Sequence, residues 1–156
     1  MTTKTDLKTF IQPVIDLQDD ARPKWGRMSA RHMVEHLVLT VRLSNGKLEG
    51  RAAYEDIKLP VLKRFLESDN PMPRNFTNPL IGEELKLLMF GNLDEAKKKL
   101  VSEIDDFYRF FEENPEATPV NPTFGPLTFK EWLQFHWKHF THHFTQFGLI
   151  EAQENH

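Results

Sequence analysis

The sequence predicts an all-α protein: an up-and-down-type four-helix bundle with an additional short N-terminal helix and a long irregular insertion around residues 49–91. Three observations predict it. Four segments repeat apolar residues at intervals of three and four, the period of a helix with one buried face. Prolines break the chain between those segments. The length, 156 residues, suits one domain able to bury about two thirds of its unfolded surface. Strand is admitted only within residues 49–91.

The first helix is expected from about Asp6 to Leu17, where Leu7, Phe10, Ile11, Val14 and Leu17 share a face. Pro13 lies inside it, so this helix is kinked, short or begins late. The second starts after Ser29, a good N-cap, and runs to about Ser44, where Asn45-Gly46 stops it. Apolar residues cover most of its circumference, leaving Arg31, Glu35 and Arg42 as one narrow polar stripe. Such a helix belongs at the centre of a core, with His36 turned inward, away from the stripe.

Between residues 49 and 91 only Leu59 to Leu66 suggests a short helix, with Pro60 in its first turn. Pro71, Pro73 and Pro79 argue for a long surface loop that could cover a site, and Glu83 to Phe90 is undecided between strand and helix. The next helix opens at Asn92 with Glu95 as capping partner. It buries Leu93, Ala96, Leu100, Ile104, Phe107 and Phe111, and it ends before Pro115. Lys97-Lys98-Lys99 is expected to pair locally with Asp94 and Glu95. The last helix is expected from Thr128, capped with Glu131, to about Ile150. Phe129, Leu133, Phe140, Phe144 and Phe147 flank its seam; the wide apolar arc of Phe129, Phe140, Phe144 and Phe147, with Phe110–Phe111 on the preceding helix, suggests a homodimer.

Composition excludes several functions. A formal charge of -3 with no basic stripe argues against nucleic acid or an anionic membrane as partner. Cysteine is absent, which removes disulfides, thiolate zinc sites and a protein thiol nucleophile. No signal peptide or membrane-spanning run is read, so a cytoplasmic location is expected. No glycine-rich phosphate loop or nucleophile elbow is present.

Histidine carries the chemistry. Trp132, His136, His139, His143, Gln146 and Ile150 recur in a 4-3-4-3-4 rhythm along the inward seam of the last helix. Seam positions ordinarily take Leu, Ile or Phe. Each buried polar group left without a partner costs about 1–3 kcal/mol, and one shared cation relieves several imidazoles together. His139 and His143, stacked one turn apart, therefore make a metal-binding pair, with His36 as third ligand. His32 shares a face with His36, and spacing alone does not separate them. His36 is preferred because it is mid-helix on the buried side. His136 reads as a fourth ligand, a proton carrier or, preferably, a packed residue behind the ligands. His142 lies off the seam and reads as rim. Gln146, His32 and Trp132 are expected around the ligands, holding their rings or lining the pocket, although ordinary packing accounts for Trp25 and Trp132 equally well. Three imidazoles favour a divalent transition metal, zinc or nickel, with an open position.

Met33-Val34-Glu35-His36-Leu37 in the first core helix, the lead-in Trp25-Gly26-Arg27-Met28-Ser29-Ala30, and His139-Phe140-Thr141-His142-His143-Phe144-Thr145-Gln146 together resemble the DinB/YfiT-like superfamily. The resemblance implies a four-helix bundle that holds a metal through His36, His139 and His143. Many members read HHRGQ where this chain has His142-His143-Phe144-Thr145-Gln146, so contacts made by that arginine and glycine are not carried over. Members include thiol-dependent transferases and isomerases and proteins described as metal-dependent hydrolases, and dimers are common. The expected function is a metal-dependent enzyme that activates water or a low-molecular-weight thiol against a small-molecule substrate. The alternative is a non-catalytic bundle binding a metal, haem or a small apolar ligand as a stress-response accessory.

Overall fold

Side-chain caps set the ends of the long helices. The computed structural model describes residues 6–74 and 88–150, and its regular structure there is almost wholly helical: α1 (Ile11–Asp16), α2 (Ala30–Ser44), α3 (Leu59–Glu67), α4 (Leu93–Glu113) and α5 (Phe129–Gln146). Ser29 caps α2 by accepting from the His32 amide, and Asn92 caps α4 by accepting from that of Glu95 at 2.9 Å. Thr128 and Glu131 form a reciprocal capping box on α5. On α4 the return arm reaches one residue further back, because the Glu95 carboxylate accepts from the Gly91 amide.

The expected first helix divides in two. Leu7–Phe10 is a 3₁₀ turn capped by Asp6, and α-helix begins only at Ile11. Pro13 falls in the first turn of α1, where its missing N–H interrupts no helical bond. The end of α5 corrects the expectation of a helix to Ile150. Gly148 at φ +70° takes the left-handed position. Its amide donates to Thr145 and that of Leu149 to Phe144, which closes the helix in a Schellman arrangement.

The insertion is less irregular than expected. A 3₁₀ turn at Asp56–Lys58 leads into α3, whose Pro60 sits at the helix start. Pro79 and residues 83–87, for which a loop and an undecided element were expected, lie outside the described residues. The expectation that strand is confined to 49–91 fails. An antiparallel hairpin, β1 (Val120–Asn121) and β2 (Gly125–Pro126), forms in the proline-rich connection before α5. It is two residues deep, and the Asn121 side chain holds its turn by accepting from the Thr123 and Phe124 amides.

The core lies between α2 and α4, with α5 and the N-terminal segment packed against it. Phe10 meets Trp137, Phe140 and Phe144 edge-on, with centroids 4.9–5.3 Å apart. The apolar arc of α5 that suggested a dimer is thus largely covered within the chain. Nor is the polar stripe of α2 solvated. Glu35 is buried and accepts from the Met89 and Phe90 amides, while Arg31 donates to the Phe90 carbonyl. Arg42 donates to Glu103, a fully buried carboxylate on α4 that also accepts from Asn45 and Lys47. Lys97 does not pair locally as expected. Its ammonium donates to the Ile15 and Leu17 carbonyls, anchoring the C-terminal end of α1. Among the described residues no helix is long and apolar enough to cross a membrane.

Candidate metal centre

Two helices bring three imidazoles to one point. His36 comes from the middle of α2, and His139 and His143 from successive turns of α5. Ring centroids are separated by 4.8 Å for His36–His139, 5.0 Å for His36–His143 and 4.7 Å for His139–His143. The Nε2 atom of His139 lies 2.9 Å from that of His36 and 3.2 Å from that of His143. Bonds of about 2.0–2.1 Å to one ion set neighbouring nitrogens about 2.9–3.4 Å apart, at angles from square to tetrahedral. The donor set therefore fits a single metal ion, and these three residues lie close enough to bind one.

Gln146 fixes the proton on one of the rings. Its amide nitrogen donates to the Trp25 carbonyl at 2.9 Å, which leaves its oxygen facing His143 Nδ1 at 2.8 Å. An oxygen can only accept, so His143 carries its proton on Nδ1 and presents a lone pair from Nε2 toward the cluster. This is the outer-sphere support that orients a metal-ligating histidine. Gly26 makes the approach feasible: it sits at φ +83°, and a Cβ there would come within 2.9 Å of the Gln146 nitrogen.

Without a cation the cluster cannot satisfy itself. The His139 Nε2 faces two other nitrogens and carries at most one proton, and its Nδ1 is buried with no partner among the described residues. A shared cation accepts all three lone pairs at once.

Burial keeps these rings neutral and hence ligand-competent. It lowers the pKa of His36 to about 4, with His142 adding a smaller push. His139 and His143 are lowered well below the usual imidazole value, first by burial and then by neighbouring histidines. His139 and His143 are buried and His36 is half-buried, so solvent reaches the cluster on the α2 side.

The other expected residues fall into place around this centre. His32 stands outside the cluster; its Nδ1 lies 2.7 Å from the Ser29 hydroxyl, at the start of α2. His136 also stands outside the cluster. It is fully buried among Phe107, Trp132 and Phe140, with Nε2 2.8 Å from Ser44 Oγ. The Ser44 hydroxyl donates to the Val41 carbonyl, so it accepts from His136, and burial alone lowers the His136 pKa to about 3. Trp132 is a core residue whose indole N–H donates to Pro119, tying α5 to the hairpin. His142 is half-buried on the rim, edge-on to Trp25.

Sequence reasoning missed the Trp25 carbonyl that holds Gln146, and the chain over residues 68–74. Lys138 donates to the Ser68 and Asn70 carbonyls, His142 is hydrogen-bonded to the Met72 backbone, and Arg74 stacks on Trp25. The prolines at 71 and 73 signalled a surface segment here, but nothing in their spacing said where it docks.

No curated protein and no solved structure matches the chain. The two histidine helices and everything between them do fall within one family, described as a protein of unknown function (DUF1569), whose match spans residues 2–148; the chain belongs to that family.

Proposed function

We propose that this chain is a metal-dependent enzyme with the up-and-down four-helix architecture of the DinB/YfiT-like superfamily. The observation that carries the reading is the convergence of three Nε2 atoms, one of them held as a lone-pair donor by the Gln146–Trp25 relay. The helix order and the ligand positions on α2 and α5 support the architectural resemblance.

An all-imidazole site suits zinc or nickel, and such an ion lowers the pKa of water or a thiol at its open position to give a nucleophile at neutral pH. The protein's own part is to hold three neutral rings in place. The approach past His36 stays open for a small-molecule substrate and, in thiol transfer, a low-molecular-weight thiol. Hydrolysis and thiol transfer use the same position, and the absence of cysteine fits an external thiol.

The test is turnover of ester, amide, epoxide and thiol-transfer substrates by zinc- or nickel-loaded protein, with His139→Ala as the blank. Activity lost in that variant is the expected result. A metal-replete protein inert on the whole panel would favour a binding role.

A further inference from the structure

We propose that the solvent side of the metal centre takes the carboxylate of a small organic acid, with Arg74 as its anchor and the reacting group of the same molecule at the three imidazoles. This rests on the metal reading above and names the substrate class of that site.

Arg74 is linked to the centre by a short run of contacts. Its guanidinium lies 4.2 Å from the centroid of the Trp25 ring; the Trp25 and His142 rings are 5.7 Å apart, and those of His142 and His143 4.9 Å. His142 is half-buried on the rim of the cluster, and its charge acts on all three of its histidines. Both supports of Arg74 are fixed. The Trp25 carbonyl receives the Gln146 amide, and the chain leading to Arg74 is tied to α5 through Lys138 and His142.

Stacking on an indole uses the face of a guanidinium and leaves its N–H edges pointing outward. Those edges form a planar fork matched to a carboxylate. Among the described residues no Asp or Glu makes an ion pair with Arg74, although it is exposed in a chain of net charge -3.

The test uses tag-free full-length protein loaded with cobalt(II), whose thiolate charge-transfer band reports a thiol at the metal. Mercaptoacetate, 3-mercaptopropionate and 4-mercaptobutyrate are each compared with the corresponding amide. The expected result is that at least one acid binds about tenfold tighter than its amide. Arg74→Ala should erase that preference at unchanged cobalt stoichiometry, and Arg74→Lys should restore only part of it. Cobalt-loaded protein that binds acid and amide equally, or neither, overturns the proposal, as does a preference that survives in Arg74→Ala. Protein that takes up no cobalt fails one step earlier and removes the metal reading together with this inference.

Discussion

At the residue scale the ligands and their supports make separable predictions. His139→Ala and His143→Ala should each abolish stoichiometric metal, whereas His142→Ala, off the seam, should leave it nearly intact; elemental analysis after dialysis distinguishes them. Gln146→Ala should keep the three ligands but weaken metal affinity about 10–100-fold by releasing the His143 ring, which a competitive chelator titration would measure. Protons compete with metal for the same lone pairs. Because burial holds His36 to about 4 and its two partners low as well, affinity should persist below pH 6.5 and fall only as the pH approaches that lower range. The histidine cluster was legible because polar rings in a helix seam are costly to bury unless one shared partner takes up their lone pairs. The Trp25 carbonyl was not legible, since a backbone atom leaves no mark in a sequence and its role depends on where Gly26 lets the chain turn.

Helix ends were legible wherever a side chain caps them. Ser29, Asn92 and Thr128 do so as their local sequences indicate, and Thr128→Ala should cost about 1–2 kcal/mol in chemical denaturation by removing the capping box of the helix that carries two ligands. The C-terminus of α5 was misread because the seam rhythm continues to Ile150, while Gly148 ends the helix through its backbone. Periodicity names a face but not what lies against it. The polar stripe of α2 was legible but its partners were not: Glu35 and Arg42 bond to residues 54 to 61 positions away in the chain. Glu103 belongs to the same class. Burial raises its pKa, but hydrogen bonds from Lys47, Arg42 and Asn45 and the charge of Lys47 reverse that, leaving a net lowering. Glu103→Gln should destabilise the α2–α4 pairing by about 1–3 kcal/mol, because Arg42 and Lys47 lose their common anion while retaining partial access to water.

For the whole molecule, the buried histidines tie stability to pH in one direction. His136 is neutral in the folded state with its pKa lowered to about 3, while the unfolded chain titrates near the usual 6.5. The unfolded state thus binds more protons below pH 6.5, so the contribution is fully present above that pH and is lost as the pH falls toward 3. Between pH 6.5 and pH 5 this one residue should remove about 2 kcal/mol from the metal-free protein. Denaturant midpoints across that window would show it, and His136→Phe should flatten the slope.

The central claim is that α2 and α5 together build one metal site from His36, His139 and His143. X-ray absorption on tag-free protein, loaded with one equivalent of zinc and dialysed near neutral pH, tests it most directly. The expected result is one retained ion per chain with three imidazole nitrogens at about 2.0–2.1 Å and a fourth, more weakly bound ligand. Zinc that dialyses away, or a shell with fewer than three imidazoles, would contradict it.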